Sequence, residues 1–142
     1  MNEHNTYILK QTFPTVFGKL HGFECGDGWF QLIAQIAVFI SSATKHCCAV
    51  QVKEKFGTLR FYVDFDVDTN GEYIIHESLV NSIQDYIDAV EADSVHVCED
   101  CGVDLTTASK ESQKKLGYWI RNICKGCAEI HRKRQFKKPE SI

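Results

Sequence analysis

Four cysteines fall in two pairs, Cys98-Glu99-Asp100-Cys101 and Cys124-Lys125-Gly126-Cys127, with 22 residues between the pairs. Two residues between cysteines let one tight turn aim both sulfurs at a single point, and two such turns supply four thiolates. That donor set closes the tetrahedral shell that zinc accepts, with each sulfur about 2.3 Å from the ion. Gly102 follows the first pair directly and suits the positive φ that such a turn needs. All four positions would be protein ligands, so the Zn2+ reads as structural, with no position left for water or substrate. His131 lies four residues after Cys127 on the same helical face and is an alternative to Cys124 as fourth ligand. The competing account is four buried or disulfide-paired cysteines. It is weakened by a 48-residue segment with few large aliphatic side chains, which could hardly fold on its own core. Structural zinc contributes on the order of 10–16 kcal/mol of apparent binding energy.

Other residues could carry chemistry. Between His131 and Lys138 stand five basic side chains, Arg132, Lys133, Arg134, Lys137 and Lys138, and one aromatic, Phe136. Such a stretch can neutralise phosphates and stack on a base, or it can be a solvated helix end. Lys53, Lys55, Arg60 and Tyr62 share the polar parity of two strand-like runs and form a small basic and aromatic candidate binding face. The plainer account is a solvent face balanced by Asp64 and Asp66. Glu54 falls on the apolar parity, where a carboxylate must reach a sheet edge or find a partner. Cys25, Cys47 and Cys48 are further thiols that His21 or His46 could activate, but no third orienting group accompanies either pair, and buried apolar thiols at the start of a strand explain Cys47 and Cys48 adequately. A histidine on the strand after the first cysteine pair would suggest a metal-dependent nuclease, and that strand, Val103 to Thr107, has none.

The elements that position these residues are legible as periodicities. Trp29, Phe30, Ile33, Ile36, Ala37 and Ile40 recur at helical spacing behind Asp27, which is placed to cap a helix over about 28–44. Leu59, Phe61, Val63, Phe65 and Val67 alternate with polar residues, as do Val50, Val52 and Phe56 before them, so 48–67 reads as a β-hairpin turning at Phe56-Gly57-Thr58. Ile75, Leu79, Val80, Ile83, Tyr86, Ile87 and Val90 mark a second amphipathic helix over about 72–93. A lone hairpin is marginal in water, so both helices are expected to cover its apolar face. In the C-terminal part, Val103–Thr107 and Tyr118–Ile123 read as a second hairpin, followed by a helix from Ala128 to about Phe136. The fold class is therefore α+β: a helix–hairpin–helix body over 1–94, then a small four-cysteine zinc ribbon or treble-clef-like module over 95–142.

At 142 residues, 44% hydrophobic and 25% charged with two prolines, the composition excludes intrinsic disorder, collagen and coiled-coil arrays. Its longest uncharged stretch, Gly28 to Thr44, is 17 residues with two glutamines and two serines, short of the roughly 20 apolar residues of a membrane span. The opening MNEHNTYILK has an acid and a histidine where a secretory signal has a basic lead and an apolar run, so a cytoplasmic protein is expected, with cysteines serving metal or free thiols before disulfides. Net charge is −3, but residues 1–94 hold six Lys or Arg against thirteen Asp or Glu, and residues 95–142 hold ten against six. Four thiolates on one zinc would subtract two charges from the basic part, and a general nucleic-acid coat is more basic than that.

Taken together, CGDGW (Cys25–Trp29) opening a helix, VQVKEKFGTLRFYVD (Val50–Asp64), VCEDCG (Val97–Gly102) and GYWIRNICKGCA (Gly117–Ala128) resemble a family of small proteins common in tailed bacteriophages and prophages. The resemblance covers roughly residues 22–128 and leaves out the tail beyond 131. It implies a phage-encoded zinc protein acting in the bacterial host cytoplasm, with Cys98, Cys101, Cys124 and Cys127 as metal ligands. Asp27, Lys53, Glu54, Lys55 and Arg60 are motif positions to which it gives no role, and it supplies no catalytic residues. The leading expectation is a non-enzymatic binding protein that contacts a host or phage macromolecule, a protein first and nucleic acid second, because the net charge is negative. A virion component is a third expectation, and an enzyme using Glu54, Asp27 or a free thiol a lesser one. Neither a membrane nor a small-molecule cofactor is expected.

Overall fold

The buried stripe Trp29, Ile33, Ile36, Ala37 and Ile40 places one helix against a sheet, and the rest of the body assembles around that contact. In the computed structural model, which describes residues 1–106, 114–116 and 119–136, the chain is a mixed α/β protein on a three-stranded sheet. Helix α1 (Glu3–Thr12) and the short α2 (Pro14–Phe17) precede strand β1 (Phe23–Glu24). A 3-10 turn at Asp27–Trp29 leads into α3 (Phe30–Ala43). Asp27 does not cap this helix. Its carboxylate instead accepts the Asn2 amide at 2.8 Å and the Asn5 side-chain amide at 3.1 Å, tying α1 to the start of α3. Neither α1 nor α2 is legible as a periodicity, since Leu9 is the one buried residue of α1 while Tyr7 and Ile8 face solvent. Leu9, Val16 and Phe17 nonetheless close one end of the core.

Strand β2 (Cys47–Lys55) runs parallel to β1 and antiparallel to β3 (Thr58–Phe65). The connection is Phe56-Gly57, with φ of 53° and 82°, the paired positive dihedrals of a two-residue type I′ hairpin. Glu54, on the inward parity, accepts the Gly57 amide at 2.8 Å, so its carboxylate closes the turn. Leu59 and Phe61 are buried and Tyr62 faces outward, in step with the alternation of β3. In β2 the alternation breaks. Ala49 pairs with Val63 and Gln51 with Tyr62, so Val50 is a bulged residue that faces solvent while Ala49 takes the core position. Val50 and Phe56 were expected on the apolar parity; the bulge and the turn send both outward.

Helix α4 (Glu77–Asp93) starts later than its hydrophobic pattern suggests, because the preceding residues are spent on a turn. Asp68 accepts the amides of Asn70 and Glu72, Gly71 takes φ of 78°, and Val67 bridges to Tyr73. His76 then caps α4 by accepting the Ser78 amide. Ile83, Ile87 and Val90 join the core, and the end of the helix seals the outer edge of β3. There Glu91 accepts the Phe61 amide at 2.7 Å and Ser94, in a 3-10 turn over Ser94–His96, accepts the Leu59 amide at 2.9 Å. An open edge would otherwise present those amides to another chain.

The C-terminal part carries strands β4 (Lys114–Leu116) and β5 (Trp119–Arg121), paired antiparallel, and helix α5 (Lys125–Phe136). The strand expected over Val103–Thr107 is reduced to one bridge, Val97 to Asp104, and the partner of β5 is β4 instead. Thr107, Lys137 and Lys138 lie outside the described residues. Among the described residues no helix is long and apolar enough to cross a membrane.

Candidate metal centre

The first cysteine pair sits on a closed backbone turn. The Cys98 amide donates to the Val103 carbonyl and the Gly102 amide to the Cys98 carbonyl, each at 2.9 Å, with Gly102 at φ of 80°. Cys98 is buried and Cys101 is exposed. Cys124 stands directly before α5 and Cys127 in its first turn, where the Ala128 amide reaches the Cys124 carbonyl at 2.9 Å. These two turns bring all four Sγ atoms within 4.8 Å of one another. Cys101 and Cys124 are 3.8 Å apart, the edge of a tetrahedron whose centre is about 2.3 Å from each sulfur.

The surroundings suit thiolates. The Cys124 amide donates to Cys98 Sγ at 3.3 Å and the Cys127 amide to Cys124 Sγ at 3.5 Å. Burial, followed by the neighbouring sulfurs, pushes the Cys127 thiol up. Burial likewise raises Cys101. Cys124 goes the other way: burial opposes its ionisation, but the Cys127 amide and the adjoining thiols hold it below the ordinary value. Four such donors can hold one metal ion, and loading it must release the protons that Cys101 and Cys127 carry. His131, the alternative to Cys124, is engaged elsewhere: its Nε2 lies 2.5 Å from Asp100 Oδ2 and 3.1 Å from Arg121 Nη1.

Around the sulfurs runs a charged network. Glu99, 3% exposed, accepts the Gly26 amide at 2.9 Å and Arg121 Nε at 3.0 Å. Arg121 also donates to Asp100. Burial opposes the charge of Arg121, and the two carboxylates outweigh it and raise its pKa. Because both carboxylates lie between Cys98 and Cys101, and Arg121 ends β5 three residues before Cys124, this network ties the two cysteine turns together.

The same turn is seated on the body. The Gly28 amide donates to the Glu99 carbonyl at 2.7 Å and the Trp29 indole to the Val97 carbonyl at 3.1 Å. A Cβ on Gly28 would stand 2.0 Å from the Cys98 carbonyl oxygen, and one on Gly26 would stand 2.3 Å from that of Glu99. A second seat is the β2–β3 turn, where buried Asn122 donates to the Gly57 carbonyl at 2.7 Å while its own carbonyl accepts the Glu99 amide at 2.9 Å. CGDGW and KEKFG are thus docking surfaces for the cysteine-bearing segment. The roles of Gly26, Gly28, Glu99, Arg121 and Asn122 are missed by reading elements one at a time. The available signal is two glycines bracketing Asp27 at a helix start that needs neither.

The remaining candidates sit on separate elements. Asp27 holds α1 and Glu54 holds the hairpin turn, each by accepting a backbone amide, so they form no acid–base pair with one another. Lys53, Lys55, Arg60 and Tyr62 lie on the outward face of β2 and β3, with Arg60 reaching Glu91 at 3.4 Å. On α5, Lys133 and Arg134 are exposed, Arg132 is partly buried, and Arg134 lines a cleft of about 350 Å³ with Asp27, Asp100, Cys127 and His131. Two of the spare thiols, Cys25 and Cys47, are kept unreactive by burial. Burial pushes Cys25 up to about 12, with smaller contributions from Glu99 and Asp27, and it pushes Cys47 to about 12 as well. At pH 8 Cys25 is then almost wholly in the unreactive thiol form. Alkylation of the folded protein at that pH should spare Cys25 and Cys47 until denaturant is added, as read by peptide mass spectrometry. Rapid labelling of Cys25 in the folded state would contradict this packing.

Comparison of the chain with protein-family models, with curated proteins and with solved structures gave no match.

Proposed function

We propose that the chain is a zinc-stapled contact module: a ribbon or treble-clef-like unit over the C-terminal part, locked to an α+β body, which acts by binding a macromolecule and not by turnover. The observation that carries this reading is the set of four sulfurs within 4.8 Å of one another, which leaves the ion no ligand position for a substrate. Zinc is the ion assigned, because a thiolate tetrahedron favours it and a staple needs no redox chemistry. The order of parts supports the module: a cysteine turn, the short β4–β5 hairpin, and a second cysteine turn opening α5. In the resemblance to phage and prophage proteins we read a place of action, the bacterial host cytoplasm, where the partner is a host or phage component.

Cobalt substitution tests the closed site. Co2+ in four thiolates gives intense sulfur-to-metal charge-transfer bands and tetrahedral d–d bands, and added azide or imidazole should leave both unchanged. A spectrum of higher coordination, or one that shifts with the added ligand, would mean an open and potentially catalytic site. The contact reading is tested by affinity capture from host lysate, with a variant lacking all four cysteines as control: a partner retained only by the zinc-loaded chain is expected, and multiple-turnover chemistry by the purified chain would overturn it.

A further inference from the structure

At the tip of the β2–β3 hairpin, Phe56 occupies a backbone conformation that asparagine, aspartate or glycine adopts with less strain, and the residue is 70% exposed. Nothing about the fold calls for an aromatic there. The turn itself is held rigidly from both sides, by Glu54 on the Gly57 amide and Asn122 on the Gly57 carbonyl, so the ring is presented and not loosely tethered. Strain kept at an exposed, over-determined position is the pattern of a functional residue.

The neighbours share that character. Lys55 places its ammonium 5.7 Å from the Phe56 ring centroid. Lys53 stands directly opposite Arg60 across the strands, a like-charge pair that works against the hairpin. Arg60 has Glu91 as partner. Among the described residues the ion pairs His46–Asp66, Arg60–Glu91, Arg121–Glu99, Arg121–Asp100 and His131–Asp100 include neither Lys53 nor Lys55. On the same face Tyr62 is 41% exposed. Glu24, beside Lys53 in β1, and Asp64, beyond Tyr62, bound the patch and keep it small.

We infer that this hairpin face binds single-stranded nucleic acid, with bases stacking on Phe56 and Tyr62 and phosphates meeting Lys53 and Lys55. This deepens the contact reading by naming one partner class, and it rests on that reading. Aromatic rings interleaved with cations suit unpaired bases on a phosphate chain. A duplex hides its base faces and offers only its phosphates. The negative net charge of the whole chain is no obstacle, because at physiological salt a phosphate feels charges within about 8 Å. An acidic peptide would satisfy the lysines but gives no reason for a strained, outward-facing phenyl ring.

Fluorescence anisotropy of the zinc-loaded full chain tests this, using labelled single-stranded DNA and RNA of roughly 12 nucleotides and the matching duplexes. Saturable binding that prefers single strands is expected, falling with salt at a log–log slope of about −1.4, the value for two phosphates. Phe56→Asn should weaken binding by about tenfold while leaving the thermal midpoint unchanged or raised, since asparagine relieves the turn. Lys53→Glu with Lys55→Glu should weaken it similarly and flatten the salt slope. Lys133→Glu with Arg134→Glu on α5 should change little. The inference is overturned by absence of saturable single-strand binding, by unaltered affinity in Phe56→Asn, by loss of binding only in the α5 variant, or by displacement of the strand by an acidic peptide at comparable concentration. None of these results touches metal content or partner capture, so the contact reading stands or falls separately.

Discussion

Replacing Cys98 and Cys124 together by serine is expected to abolish zinc binding, to strip amide protection from residues 97–106 and 119–134, and to leave a body that still melts cooperatively. The reason lies in the two cores. The body buries twenty residues in one cluster, from Leu9 to Val90. Around the sulfurs the buried cluster is Cys98, Leu105, Ile123 and Ala128, supplemented by Cys124 and Cys127. Fully burying Leu105 and Ile123 yields about 2–3 kcal/mol each, whereas ordering each residue costs about 1.5 kcal/mol. On the zinc reading proposed above, such a segment is expected not to fold without the ion, whose apparent contribution would be on the order of 10–16 kcal/mol. Hydrogen exchange read by mass spectrometry gives the outcome directly. Protection of 97–106 that survives the double substitution would mean that packing alone holds the turn. The body of the variant should also melt earlier, because the hydrogen bonds that Gly26, Gly28 and Trp29 donate to the C-terminal segment, and the one that the Gly57 carbonyl accepts from Asn122, go with it.

Gly28→Ala should be the most damaging substitution that touches neither a ligand nor a large core side chain. The added methyl would lie 2.0 Å from the Cys98 carbonyl oxygen and 2.6 Å from that of Glu99. Both obstacles are backbone, and the 2.7 Å bond from the Gly28 amide to Glu99 pins them in place. Relief requires the first cysteine turn to lift off its seat. Forced overpacking costs about 1–3 kcal/mol or more, and each lost hydrogen bond about 1 kcal/mol, so we expect a loss of about 3–5 kcal/mol in urea unfolding, together with weaker zinc retention against a chelator. Gly22→Ala is the control. No atom lies within 4 Å of its added methyl, and it should leave stability within about 0.5 kcal/mol. If Gly28→Ala matched that control, the docking of the cysteine turn on CGDGW would be wrong.

Much of the body is written in periodicity, and the exceptions have physical causes. The stripe from Trp29 to Ile40 and the alternation from Leu59 to Phe65 are single-element patterns, and both elements lie where those patterns put them. Helix α1 escapes because one buried leucine makes no pattern. The bulge at Val50 escapes because an extra residue resets the parity without any local sign, Val50 being as good a strand residue as Ala49. At the candidate metal centre, the types and spacing of the four cysteines are local, and their convergence is therefore legible. The seats are not local: Gly28 acts on Glu99 and Gly57 on Asn122, across 71 and 65 residues of chain. Asp27 illustrates the same limit, since a carboxylate at a helix start normally serves its own first turn. Here the start of α1 lies against it, and Asn2 and Asn5 donate to its carboxylate instead.

Metal content of the purified, reduced full chain tests the central claim most directly. Native mass spectrometry should find one zinc per chain in the parent protein and in Phe56→Asn, and none once Cys98 and Cys124 are serine. A parent chain that carries no stoichiometric metal after reduction and zinc exposure, or a serine variant that keeps it, would contradict the account.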